Sequence, residues 1–494
     1  MNVSPQTFSE SSPRNFGASE NSANANSFLQ GNFAPVHEEV TIADLKVFGK
    51  LPPELDGMFV RNGPNPQFPP IKNYHWFEGD GMLHGVRIRD GAASYRNRYI
   101  RTRGWQMENA CGKTVYGSFL DPITLRMILR ISWNSLLRRD LMKNTANTAL
   151  VYHDRRLLAL WEAGEPHEIE VPGLRTVGAY RFGGKLTHQV TAHPKIDPAT
   201  GEMLFFGYDP FRPVVSYSIV NAEGHLTSTT RIRVRRPVMM HDFAITSRYT
   251  IFMDMPFTFN VRRALRNEPV LKLEPELGAR FGILPRYSDG EEIKWFEVAS
   301  GYVFHTLNAY EEGDEVVLLA CRTDDFPDSF FMPSNGGPVI DPAWSPVMYR
   351  WRINLTTGEV QEKQLDDVPC DFPRVNDELV AKKSRYGYTS TLMTGPNALM
   401  KYDYEKARTD LHLHGPKRIG GEGVFVPRPN RKSEDDGWVI TYVHDEGTNQ
   451  SELVVIEAQD FNAAPIARVQ IPVRVPYGFH GTWIPGDKLV AENR

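Results

Sequence analysis

The chain has 494 residues, 41% of them hydrophobic, so it can fill a large core as several average domains or as one large β architecture. Its 56 basic and 60 acidic residues leave a net charge of −4, which excludes a global attraction to nucleic acid. Three scattered cysteines, Cys111, Cys321 and Cys370, form no CxxC pair; they exclude a disulfide framework and fit a reducing compartment.

Residues 1–37 are rich in Ser, Asn and Ala and poor in aliphatics, a composition that predicts a disordered tail. The tail lacks the apolar stretch of a secretory signal, and no run of 18 apolar residues occurs anywhere. The expected location is therefore the cytoplasm. From about residue 40 onward, Val-, Ile-, Tyr- and Phe-rich runs alternate with Gly, Pro, Asn and Asp, as in GEMLFFGYDP, DEVVLLACRTDD and VMYRWRINLTTGEV. These predict short strands, with tight turns at DPATGEM and LTTGEV. No βαβ alternation appears. Residues 38–494 are expected to form one all-β domain, a seven-bladed β-propeller capped by loops and short helices, with roughly 65 residues per blade.

Two segments interrupt the strand rhythm. In DPITLRMILRISWNSLLRRDLMKNTANT, residues 121–148, apolar positions recur at helical spacing with arginines and Lys143 between them. This predicts an amphipathic insertion at about 121–143. It lies against a membrane surface through Leu129, Trp133, Leu136 and Leu137, or packs as a helix over the sheet. The second segment, 260–282, predicts a partly helical cationic insertion.

Four histidines stand in four separate turn-flanked segments: His193 in TAHPKIDP, His241 in VMMHDFAIT, His305 in VFHTLNAYEE and His480 in PYGFHGTW. Their spacings of 48, 64 and 175 residues exclude a zinc knuckle or an HExxH helix. They allow a metal site assembled from four distant elements. On a propeller the first two spacings are near one blade each and the third is between two and three. An all-imidazole set without thiolate argues against structural zinc. Of the other histidines, His188 lacks the AHPxxDP frame and is assigned to structure or the pocket. His75 and His84 flank an acidic turn that reads as a hairpin. His412, His414 and His444 lie in polar, turn-rich segments and are expected to be exposed.

The segments LPPELDGMFVRNGPNPQF (51–68) and HWFEGDGMLHGV (75–86) resemble the N-terminal signature of the carotenoid cleavage oxygenases. TAHPKIDPATGEMLFFGY, MMHDFAIT, FHTLNAYEEGDEV and PYGFHG are similar to that family's iron-ligand segments, in the same order, and the match covers roughly residues 40–494. The resemblance implies a non-haem Fe(II) on the propeller axis, with His193, His241, His305 and His480 as ligands. It also implies that Glu162, Asp371 and Glu422 orient the imidazoles by accepting their free N–H groups. Many members carry Glu where this chain has Asp371, so a longer or water-bridged contact is expected there. Gly423 replaces a frequent Pro.

The resemblance further implies oxidative cleavage of a C=C bond of a carotenoid by O2, at the 9,10 and 9',10' positions, giving apocarotenoid aldehydes or ketones. No dinucleotide fingerprint, P-loop or nucleophilic triad competes with that reading. The expected tunnel walls are Phe77, Trp105, Phe119, Trp161, Phe304, Leu307 and Phe479. The protein is expected to act as a monomer with peripheral membrane contact. An apocarotenoid-specific enzyme is the alternative. Stilbene cleavers tend to carry Lys before the first carboxylate and Tyr in the preceding loop, where this chain has Trp161 and Phe119. A non-catalytic lipid-binding propeller would have no need of four histidines with three acidic partners.

Overall fold

The computed structural model describes residues 26–118, 142–266, 268–326, 344–391 and 397–489. Strands that are apolar on both sides need a covering on each face. Gly437–Asp445, reading GWVITYVHD, has eight buried residues in succession, and Tyr302–Glu312 has nine. Placing such sheets side by side around a ring satisfies them, because each blade then covers its neighbours.

Seven antiparallel sheets are arranged in this way as a seven-bladed β-propeller. Blade 1 joins strands Gly57–Pro64, Gly81–Arg89 and Ala92–Tyr99 to the C-terminal strand Gly481–Pro485. Blades 2 to 7 span 149–179, 195–233, 244–298, 302–364, 370–413 and 418–471. The ring closes at both termini. Gly481 pairs opposite Arg61 in blade 1, and Val47–Gly49 pairs with Ala467–Ile471 at the outer edge of blade 7. Two closures by backbone hydrogen bonding lock the ring.

The core lies between blades rather than at one centre. Met58, Val60 and Leu83 of blade 1 pack on Leu157, Ala159 and Ile169 of blade 2. Phe59 and Tyr95 meet Trp438 and Ile440 of blade 7. The expected hairpins turn at Gly201 and Gly358, whose φ angles of 72° and 81° suit glycine.

Several expectations change. Within the expected tail, Ser27–Leu29 and Gly31–Phe33 form 3-10 turns, and Phe28 and Phe33 are buried against Trp76 and Tyr477; residues 1–25 lie outside the described residues. Aromatic area outweighed the polar composition there. Residues 260–282 are helical in part, as expected, but only as 3-10 segments at Val261–Arg266 and Pro275–Leu277, with strands Leu271–Leu273 and Ala279–Pro285 beside them. Among the described residues the one α-helix is Arg103–Cys111, capped by the Thr102 hydroxyl at one end and left-handed Gly112 at the other. Most of the predicted insertion at about 121–143, including Leu129, Trp133, Leu136 and Leu137, lies in 121–141, outside the described residues. At its end Lys143 turns inward, its Nζ 2.6 Å from Asp80 and 2.5 Å from Glu108, instead of joining a cationic surface. His412, His414 and His444 are buried, not exposed: His412 on the outer strand of blade 6 bonds the Phe461 carbonyl of blade 7, His414 lies against Gly420 of blade 7, and His444 faces Ser451 within blade 7. The segment around His75 and His84 is not one hairpin: His75 caps a 3-10 turn, and His84, already in the next strand, bonds Tyr95 Oη. Among the described residues no helix is long and apolar enough to cross a membrane.

Candidate metal centre

The four histidines sit at edge strands: the opening strands of blades 3, 4 and 5, and in blade 1 the strand that comes last in the chain. His193 precedes Lys195–Ile196 of blade 3, and His241 precedes Ala244–Ile245 of blade 4. His305 lies in Tyr302–Glu312 of blade 5, and His480 precedes Gly481–Pro485 of blade 1. The interval of 175 residues is therefore three blade steps, through blades 6 and 7.

The four imidazoles meet. Ring centroids of His193 lie 4.6 Å from His241, 4.9 Å from His305 and 4.6 Å from His480. The His305 ring lies 5.0 Å from that of His241 and 4.9 Å from that of His480. Ligand atoms of His193, His305 and His480 all fall within 4.8 Å of one another, and Nε2 of His241 is 2.9 Å from Nε2 of His193.

The three remaining blades supply carboxylates. Glu162, just past strand Arg156–Leu160 of blade 2, accepts from His241 Nδ1. Asp371 of blade 6 accepts from His305 Nδ1 at 2.8 Å, and Glu422 of blade 7 accepts from His480 Nδ1 at 2.9 Å. Every blade thus contributes one group, and His193 is the imidazole without a carboxylate. The expected longer contact at Asp371 is corrected. The strand bulges between Asp371 and Arg374, Phe372 takes a φ of 53°, and the backbone brings the shorter side chain into direct reach.

A further layer, not found from the sequence, holds this one. Tyr208 donates its hydroxyl to Glu162. Arg374 lies 3.6 Å from Glu422 and donates to the Gly481 carbonyl at 3.1 Å, while the Gly481 N–H donates to Glu422 at 2.8 Å. Asp242 pairs with Lys195 at 2.7 Å and accepts from the Thr306 backbone N–H at 2.7 Å, tying together the three strands that carry His193, His241 and His305. The signal was adjacency: each of these three residues lies within two positions of a histidine. Arg374 and Tyr208 had no such signal.

Burial and the three neighbouring imidazoles push His193 well below the ordinary imidazole range. Burial also lowers His480, against the pull of Glu422. Burial opposes charge on Glu422, yet Arg374, His480 and the Gly481 N–H together hold its carboxyl below the usual range. His193 and His480 thus resist protons, whereas Asp371 raises His305 against the effect of its burial, and the convergent ring nitrogens suit a metal cation. The Nδ1 atoms of three rings are engaged, so their Nε2 atoms carry lone pairs into the centre. Nε2 of His305 is buried with no hydrogen-bond partner. A metal ion would satisfy it, and the four nitrogens fit one.

Beside the imidazoles lies a partly open, largely apolar cavity. Phe77, Trp161, Phe304 and Phe479 line it as expected. Trp105 and Leu307 do not: Trp105 packs on Met82 and Tyr99, and Leu307 on Tyr310 and Val317 between blades. Phe119 is outside the described residues. His188 hydrogen-bonds Ser218 at 2.8 Å, away from the centre.

A profile of the retinal pigment epithelial membrane protein family matches residues 33–485. The chain belongs to this family, the carotenoid cleavage oxygenases. This oxygenase is 41% identical to the carotenoid 9,10(9',10')-cleavage dioxygenase 1 of Pisum sativum, over 94% of this chain and 90% of the pea protein. Among solved structures, the Pseudomonas brassicacearum lignostilbene dioxygenase has a TM-score of 0.84 at 29% identity, covering 94% of this chain and 99% of its own. A variant of the Synechocystis apocarotenoid oxygenase has a TM-score of 0.81 at 30% identity, covering 91% and 97%.

Proposed function

We propose that His193, His241, His305 and His480 hold Fe(II), and that the protein cleaves a C=C bond of a carotenoid with O2, at the 9,10 and 9',10' positions. Both bonds of the alkene break, and each carbon takes one oxygen atom to become a carbonyl, so no external reductant is required. The observation that supports this reading most strongly is the set of four convergent imidazoles, three backed by carboxylates, opening on an apolar cavity. When bound there, ferrous iron supplies O2 activation.

The chain's own residues do the rest. Glu162, Asp371 and Glu422 fix ring orientation and tautomer through the Nδ1 protons. These carboxylates are committed to the rings, which suits a reaction without an obligatory general acid or base. Phe304, whose ring is 4.3 Å from His241, and Trp161 and Phe479 give apolar contact that sets a polyene beside the centre and keeps water from it. The likeness to a lignostilbene dioxygenase raises a stilbene as the second substrate class. Trp161 offers no charge to a phenolate before Glu162, which favours the polyene.

Purified protein loaded with Fe(II) is incubated aerobically with carotenoids, apocarotenoids and a phenolic stilbene, and products are identified by mass. The expected result is 9,10-cleaved apocarotenoids with one iron per chain, lost in His241→Ala. Undiminished turnover in that variant, or activity with zinc and without O2, overturns the reading.

A further inference from the structure

The cavity crosses the top of the ring, and its two ends differ in chemistry. Over blades 4 and 5 the walls are Met239, Phe304 and Trp344. Across the ring, over blades 7 and 1, the lining includes His444, Ser451 and Arg61. A hydrocarbon chain needs nothing polar there, and polar groups placed in an apolar cavity fix orientation and specificity.

His444 is 4% exposed. Its Nδ1 is 3.3 Å from Ser451 Oγ, and that oxygen already accepts from the Val475 N–H at 2.9 Å. With the hydroxyl proton of Ser451 directed at Nδ1, the ring proton sits on Nε2. Among the described residues no protein group accepts from that nitrogen. Burial, helped by Arg474, lowers His444 to about 4, so the ring is neutral at physiological pH and donates without charge. Arg61, 5% exposed and stacked 5.0 Å over the Tyr442 ring, adds a second polar group at the same end.

We infer that His444 is a specificity-determining residue whose Nε2–H bonds an oxygen on the end group of the substrate, so that the preferred substrate is a polyene with a hydroxylated or carbonyl-bearing end seated over blade 7 and its apolar part over blades 4 and 5. This rests on the oxygenase reading above and names the substrate class for it. A neutral hydrogen bond of this kind contributes about tenfold in affinity.

The test uses two polyenes of equal length that differ only in terminal ring hydroxyls, presented in detergent micelles to the iron-loaded full chain. Binding is read by quenching of tryptophan fluorescence and turnover by product mass. The wild-type protein is expected to favour the hydroxylated polyene by about tenfold in kcat/KM and in Kd. His444→Phe should raise KM and Kd for that polyene about tenfold, leave kcat near wild type and leave the hydrocarbon unaffected. His444→Gln, whose amide can donate, should restore part of the preference. Equal Kd values for the two polyenes, or a preference unchanged in His444→Phe, overturn the inference. Binding preference without any cleavage of either polyene would instead sink the oxygenase reading while the subsite stands.

Discussion

Asp371 Oδ1 lies 2.8 Å from His305 Nδ1, although an aspartate is one methylene shorter than the glutamates that serve His241 and His480. The carboxylate is fully buried and its other oxygen has no partner, so its charge is directed at the imidazole. Removing that charge should weaken metal binding by about 10- to 100-fold. Asp371→Asn is expected to lose iron to a chelator at correspondingly lower concentration. Asp371→Glu should fare no better, since the bulged strand already brings the shorter carboxylate into direct reach of the ring. Iron per chain after chelator titration checks both; retention equal to wild type would show that the contact is not needed.

Gly207 controls the neighbouring ligand segment. A Cβ there would stand 2.1 Å from the Gln189 carbonyl oxygen, a backbone atom that cannot step aside. The segment after Gln189 leads to His193 through Thr191, whose N–H bonds the Phe206 carbonyl at 2.6 Å. Gly207→Ala should therefore destabilise the fold by about 1–3 kcal/mol and lower metal occupancy together. Thermal melting and iron content, measured on the same preparation, test the coupling.

Two buried histidines make stability fall in acid. His414 is lowered to about 3 by burial, with His412 and Arg418 nearby, and His444 to about 4 by burial and Arg474. Above the ordinary value of 6.5 both are neutral folded and unfolded, and pH has no effect through them. Below 6.5 the unfolded chain takes up protons that the folded chain refuses, so stability drops as pH falls from 6.5 toward 4 and then 3. Each unit of separation is worth about 1.4 kcal/mol. Replacing His414 by Leu should flatten the melting-temperature profile between pH 6.5 and 4 relative to wild type; an unchanged slope would refute its part.

Arg374 is the only cation among the described residues in ion-pair range of Glu162, Asp371 or Glu422. Arg374→Met should leave Glu422 buried with less compensation, raising its proton affinity and shifting metal binding to higher pH. Tyr208→Phe removes a neutral donor from Glu162 and should have a smaller effect of the same sign. Metal affinity measured from pH 6 to 9 separates the two variants.

Much of the fold was legible because its signals are local. Turn glycines such as Gly201 and Gly358, β-branched runs and a constant strand rhythm announce hairpins within a few residues. Phe28 and Phe33 were not legible, since their burial depends on Trp76 and Tyr477, distant in sequence. Trp105 and Leu307 were misplaced for a related reason: proximity to a signature segment does not say which face of a strand or helix turns to the cavity. For His412, His414 and His444 polar neighbours in sequence suggest solvent, but contacts with blade 7 bury the first two and packing beside Ser451 buries the third.

By itself, the order of residues pointed to a propeller, because strand rhythm is a property of neighbouring residues, while the four-histidine set and its three carboxylates came from the resemblance of short motifs to the carotenoid cleavage oxygenases. Only the tertiary structure decided that each blade gives one group, that Asp371 reaches His305 directly and that His193 stands without a carboxylate. Those are distances between residues far apart in the chain, fixed when both ends of the ring pair their strands and bring seven entry points to one axis.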